Sequence, residues 1–129
     1  MILIDTSVWI DVLRRSRPLD LAAIVDFDEI VTCLPVVQEV LQGFADERAY
    51  RLARDAMLAL PIVESPLSED TVLEAIGLHR AAQRAGRTVR SSIDCLIAAC
   101  ALRHDLEVLH RDRDFGALAA VSSLRARAI

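Results

Sequence analysis

The first thirteen residues, "MILIDTSVWIDVL" (1–13), decide how the rest of the chain reads. "MILID" (1–5) is a short apolar run closed by an acid, the pattern of a strand buried on both faces. "TSVWIDVLRR" (6–15) then sets Val8, Trp9, Val12 and Leu13 at helical spacing, with Thr6 or Ser7 placed to cap the turn. A buried strand running straight into a helix is the first half of a strand–helix–strand unit.

Working outward, the same alternation continues. Residues 19–26 read as a short helix and "EIVTC" (29–33) as a β-branched strand. Pro35 suits the first turn of the helix "PVVQEVLQGF" (35–44), and helix continues over 46–60. "PIVESP" (61–66) is a third strand. Ser68 caps a helix with Glu69 and Asp70 in its first turn and Gly86 just past its end. "SSIDCLIAACALRH" (91–104) is a helix with a Ser-x-x-Asp start, "EVLH" (107–110) a strand, 114–121 a short helix and "SLRARAI" (123–129) a fifth strand. Strands separated by helices imply right-handed crossovers. The expectation is an α/β fold, a three-layer α/β/α sandwich with a mainly parallel sheet of about five strands, forming one domain over 1–129.

Composition narrows the chemistry. All 15 cationic residues are arginine, so reactions that need lysine are excluded, among them P-loop phosphate binding and Schiff-base catalysis. The net charge of −4 argues against coating nucleic acid by charge alone. It leaves room for a nuclease whose own carboxylates supply the negative charge. Cys33, Cys95 and Cys100 lack metal-ligand spacing and read as buried, reduced thiols. No uncharged apolar run is long enough to span a bilayer, and the amino-terminal apolar run lacks a basic flank and contains Asp5. A cytoplasmic protein with no membrane partner is expected.

In doubly wound sheets, function gathers beyond the carboxyl ends of the strands, where the strand order reverses. Asp5 ends the first strand and Asp112 follows the fourth; Glu39 and Asp94 lie in the first turns of helices, beside their apolar stripes. Each has an ordinary alternative. Asp5 ends a strand or caps a helix, and Glu39 is a first-turn acid favoured by the helix dipole. Asp94 completes a capping box with Ser91, Asp112 pairs with a neighbouring arginine, and Asp114 caps the helix "FGALAAV". The ordinary readings do not explain why all these acids belong to one edge of the sheet. Clustered carboxylates repel unless a proton or cation is present. Oxygen donors without His or Cys at ligand spacing suit Mg²⁺ or Mn²⁺. Such ions lower the pKa of water and stabilise charge at phosphorus, which points to phosphodiester hydrolysis.

"ILIDTSVWID", the Glu39 helix, "VRSSIDCLIAA" and "LHRDRDF", in this order and spacing, resemble a PIN domain, and most closely its bacterial VapC-type toxins. The likeness runs over about 1–127. It implies a Mg²⁺- or Mn²⁺-dependent endoribonuclease that leaves a 5′-phosphate and a 3′-hydroxyl. By position, Asp5, Glu39, Asp94 and Asp112 match the family's four acids, and Asp114 a further acid near the metal in some members. The resemblance also implies a homodimer, neutralised by a small VapB-type antitoxin. One departure is His110, where many members carry threonine.

Further expectations concern substrate and partner. Arg87, Arg90, Arg111 and Arg113 are placed to contact RNA phosphates, or to form salt bridges within the chain; His110 reads first as a structural, hydrogen-bonded histidine, with contact to RNA or to a nearby acid as the alternative. Trp9, Val12, Leu13, Phe27 and Phe44 are expected to line an apolar antitoxin groove, with core packing as the alternative. The competing reading of the whole chain is a catalytically inactive PIN-like interaction module. A haloacid-dehalogenase-like phosphatase ranks lower, because Ser7 stands where that chemistry needs a second Asp and lysine is absent.

Overall fold

A computed structural model describes all residues, 1–129. The apolar runs form five short strands, β1 (Ile2–Ile4), β2 (Ile30–Cys33), β3 (Ile62–Val63), β4 (Glu107–His110) and β5 (Arg125–Ala128), in the order β3-β2-β1-β4-β5. Every neighbouring pair is parallel. Ile2 pairs with Ile30 on one side and with Glu107 on the other, so β1 is the central strand. Its three residues are all buried, as a strand covered on both faces requires.

Six helices make the connections: α1 (Thr6–Leu13), α2 (Leu34–Gln42), α3 (Glu47–Leu58), α4 (Glu69–Arg84), α5 (Ser92–Arg103) and α6 (Arg113–Ala120). The chain moves outward from β1 to β3, then returns past β1 to β4 and β5. Right-handed crossovers therefore set α1–α3 and α4–α6 on opposite faces of the sheet. Packing follows that division: α1 lies on α2 and α2 on α3, while α4, α5 and α6 pack on one another. The core runs through both layers, with Leu3, Ile4, Val36, Ile97, Val108, Leu109, Phe115 and Leu118 fully buried. All three cysteines are buried and free.

Two expectations about elements are corrected. Residues 19–26 are not an α-helix; only Leu21–Ala23 form a 3-10 turn, followed by another at Phe27–Glu29. Leu21 and Val25 are buried in the core with Leu19 and Ile24 packed against it, and Asp26 accepts the Asp28 N–H as the cap of the second turn, which starts anew instead of continuing the first. Residues 35–60 are likewise two helices rather than a continuing one. Gly43 follows α2, and Asp46 starts α3 by accepting the Ala49 N–H at 2.8 Å.

Glu64 was not singled out in the sequence, yet it ties β3 to the helices beyond. Its carboxylate accepts from Thr71 Oγ1 at 2.6 Å and Ser68 N–H at 3.4 Å, and it meets Arg103 Nε at 3.3 Å and His104 Nε2 at 3.1 Å. These partners, the Thr71 hydroxyl foremost, pull its pKa from 4.5 down to about 2. A depressed carboxylate adds stability above its unfolded pKa, which is lost as the pH falls towards its folded pKa. Glu64→Gln is therefore expected to cost roughly 1–2 kcal/mol at pH 7, or about 5 °C in melting temperature. The difference from wild type should close as the pH falls from about 4.5 towards about 2, checked by thermal melts across that range.

Candidate active site

The strand order reverses between β1 and β4, and the candidate acids gather beyond the carboxyl ends of those strands. Asp5 is the last rung of the β1–β4 ladder: its N–H donates to the Leu109 carbonyl at 2.9 Å. It is also the N-cap of α1, with Oδ2 accepting from the Ser7 N–H at 3.0 Å and from the Ser7 hydroxyl. Ser7 Oγ in turn accepts the Arg111 N–H at 3.0 Å, which joins the turn after β1 to the turn after β4. The other Asp5 oxygen, Oδ1, is buried and has no hydrogen-bond partner.

The remaining acids arrive from helices, Asp94 and Asp112 at helix starts but Glu39 from the second turn of α2 rather than the expected first. Glu39 on α2 is half-buried, and its Oε1 accepts from Thr6 Oγ1 at 2.8 Å. Asp94, in the first turn of α5, is buried and leaves Oδ2 without a partner. Asp112 is the N-cap of α6, its Oδ1 accepting the Asp114 N–H at 2.9 Å. Oxygens of Asp5, Glu39 and Asp94 lie within 4.8 Å of one another, and so do oxygens of Asp94, Asp112 and Asp114. Asp94 belongs to both groups.

Such proximity of buried carboxylates has an electrostatic cost. Burial raises the pKa of Asp5, against the lowering effect of its Ser7 hydrogen bonds, and burial likewise raises Glu39. Asp94 is pushed up to about 9, first by burial and then by the charges of Asp5 and Asp112. At neutral pH the cluster therefore needs either a bound proton or a cation. The two unpartnered buried oxygens, Asp5 Oδ1 and Asp94 Oδ2, are the kind of donor a divalent ion satisfies and a packed protein otherwise avoids. With no sulfur or nitrogen donor among the grouped residues, the set fits hard ions such as Mg²⁺ or Mn²⁺.

Several expected roles are corrected by position. Asp114 does not cap α6; Asp112 does, and the buried Asp114 carboxylate instead accepts the Arg90 and Ser91 N–H groups at 2.9 and 3.0 Å. His110 takes the structural reading rather than the RNA-facing one: it is buried, its Nδ1 accepts the Asp112 N–H at 3.3 Å and its ring lies 5.2 Å from Phe115. That hydrogen bond leaves the imidazole proton on Nε2. The guanidinium of Arg111 is committed to Asp11. Arg87, Arg90 and Arg113 are exposed and form no ion pair.

The apolar groove is also redrawn. Trp9 is a core residue, Val12 packs against the core, and Phe27 lies before β2, at the other end of the strands from the acids. What remains is a hollow of about 220 Å³ between α1 and α2, lined by Ile10, Leu13, Arg14, Val40 and Phe44 and reaching Glu39. Helix α1 turns Trp9 inward and Ile10 outward, a distinction that spacing alone did not make. Thr6 and Ser7 do not cap α1 as expected; Asp5 does, and the two hydroxyl residues instead support Glu39 and Asp5. Their signal was present in the sequence, since short hydroxyl side chains beside an acid at a helix start serve as caps and carboxylate partners.

Comparison with known proteins agrees with the fold. Residues 2–121 match the PIN domain family. Over 134 aligned residues the chain is 37% identical to ribonuclease VapC11 of Mycobacterium tuberculosis, covering 98% of this chain and 97% of that protein. Among solved structures, VapBC-5 of Mycobacterium tuberculosis, described as a member of the VapBC family of toxin–antitoxin systems, superposes with a TM-score of 0.73 at 24% identity, covering 98% and 97% of the two chains. The DNA-bound VapBC of Salmonella typhimurium gives a TM-score of 0.78 at 15% identity, covering 98% and 96%.

Proposed function

Because the chain belongs to the PIN domain family, we propose that its acid cleft is the active site of a metal-dependent endoribonuclease, the toxin of a VapBC-type toxin–antitoxin pair. The observation that carries the reading is the pair of unpartnered, buried carboxylate oxygens, Asp5 Oδ1 and Asp94 Oδ2, at the switch point of the sheet. Mg²⁺ or Mn²⁺ held there would supply a polarised water and charge stabilisation at a phosphodiester. Asp5, Glu39 and Asp94 are the residues that would hold it, with Asp112 at the rim.

The chain's own side chains do the rest. Thr6 fixes the Glu39 carboxylate, and Ser7 fixes one Asp5 oxygen so that the other stays free. Asp94, the acid common to both groups, is placed to hold the ion or to orient the attacking water. The exposed guanidinium groups of Arg87, Arg90 and Arg113 are free to hold phosphate oxygens of an RNA strand. The small aromatic content favours recognition of backbone and shape over base stacking.

An antitoxin segment is proposed to lie in the hollow between α1 and α2. Its apolar side chains would meet Ile10, Leu13 and Phe44, and a cationic one would reach Glu39. A homodimer is supported by the exposed apolar residues Val72, Leu73 and Ile76 on α4, beside Ile93 and Leu96 of α5. No helix is long and apolar enough to cross a membrane, and a cytoplasmic site of action accords with an RNA substrate.

The test is cleavage of a structured RNA by the purified protein with Mg²⁺, with Mn²⁺ and with EDTA. Cleavage is expected with either ion and at least about a hundredfold less with EDTA. Equal cleavage in EDTA would remove the metal from the mechanism. No cleavage under any condition, with the protein folded and free of antitoxin, would favour an inactive interaction module.

A further inference from the structure

We infer that Asp114 is a positioning residue, one that frees Asp94 for the active site rather than acting as a ligand itself. The inference rests on the functional reading above, and its evidence is a capping box that has been taken apart. Helix α5 begins with Ser91 at the N-cap and Asp94 at the third helical position. Such a pair ordinarily bonds reciprocally, the serine hydroxyl to the backbone N–H of the acid and the acid carboxylate to the backbone N–H of the serine.

Only half of that exchange occurs. Ser91 Oγ accepts the Asp94 N–H at 3.4 Å. The Ser91 N–H instead donates to Asp114 Oδ2 at 3.0 Å, and the same oxygen accepts the Arg90 N–H at 2.9 Å. Asp94 is thereby relieved of its capping role, and its Oδ2 is left buried and unpartnered in the cleft. Asp114 is itself fixed, because its backbone N–H donates to Asp112 and its side chain is only 2% exposed as a residue. The carboxylate of Asp114 lies close enough to Asp94 and Asp112 to count as a ligand by distance alone. One of its two oxygens, however, is already spent on two backbone donors. Those donors belong to the segment that carries the unpaired guanidinium groups of Arg87 and Arg90, so Asp114 also holds the strand of chain proposed to meet the RNA backbone.

An asparagine at this position keeps a carbonyl oxygen for the two N–H donors and removes the negative charge. An alanine removes both. The experiment compares wild type, Asp114→Asn, Asp114→Ala and Asp112→Asn, reading Mn²⁺ affinity by calorimetry and amide hydrogen exchange of Arg90 and Ser91 by NMR. Asp114→Asn is expected to keep Mn²⁺ affinity within about threefold of wild type, with both amides still protected. Asp114→Ala should speed exchange of the two amides and weaken Mn²⁺ binding by roughly tenfold or more, as the Ser91 N–H recaptures Asp94.

Asp114→Asn binding Mn²⁺ as poorly as Asp112→Asn, with its amides protected, would overturn the proposal and make Asp114 a ligand. Unchanged amide exchange in Asp114→Ala would overturn it equally. Failure of the wild-type protein to bind Mn²⁺ would count against the functional reading instead, and the amide exchange would still decide whether Asp114 holds the loop. If the alanine variant does not fold, the asparagine variant carries the test by itself.

Discussion

Asp5→Asn is expected to lower RNA cleavage on the order of a thousandfold or more while leaving the protein folded. The two halves of that expectation rest on different atoms. Asn is as good an N-cap as Asp, so its carbonyl oxygen can keep the Ser7 N–H bond that starts α1. The ladder bond from the residue 5 N–H to Leu109 belongs to the backbone and is untouched. What disappears is the charge on Oδ1, the buried oxygen with no protein partner. An ion held at the proposed site, which would stabilise the reacting phosphate by several kcal/mol, would lose a ligand, and each 1.36 kcal/mol is a factor of ten in rate. Because the wild-type carboxylate is raised by burial, neutralising it should hold or increase the melting temperature of the metal-free protein. Single-turnover cleavage and a thermal melt on the same preparation check both halves. A variant that cleaves like wild type with Mn²⁺ present would remove Asp5 from the site.

The sequence made the convergence of the acids legible, because strand, crossover and switch-point rules act on patterns that need no side-chain coordinates. β1 was readable as an apolar run, and a parallel sheet then brings the residues after β1 and β4 together. What escaped depends on displacements of one residue or on partners far along the chain. Asp112 and Asp114 differ by two positions, and the start of α6 at Arg113 rather than at Phe115 exchanges their roles. Asp114 finds its donors 23 and 24 residues away, at Ser91 and Arg90. Glu64 draws on Thr71, Arg103 and His104, up to 40 residues away. Trp9 and Ile10 are neighbours in sequence, and only the packing of α1 shows that the first is core and the second lines the groove. Local rules supplied the carboxylates; the arrangement that aims them is tertiary.

Asp94→Asn should abolish cleavage to a similar degree and, unlike most substitutions of a buried residue, stabilise the metal-free protein at alkaline pH. The Asp94 carboxyl sits at about 9 in the folded protein, against an ordinary value of 3.8. Burial is the main cause, followed by the charges of Asp5 and Asp112. A raised acid binds its proton more tightly when folded, so that stability is fully present below the unfolded value and is lost as the pH rises towards about 9. Over that window the wild-type protein in EDTA should melt at progressively lower temperature. Asparagine carries no charge to desolvate, and the Asp94→Asn curve should be flatter, overtaking wild type by roughly 5 °C at pH 9 and converging with it near pH 4. Saturating Mn²⁺ should reverse the order, because an ion bound only by the folded state adds stability by mass action and the variant has lost a central ligand. Melting curves at several pH values, with EDTA and with Mn²⁺, measure all of this. Parallel pH profiles for the two proteins in EDTA would mean that Asp94 carries no buried proton, and the electrostatic case for a cation in the cleft would fall with it.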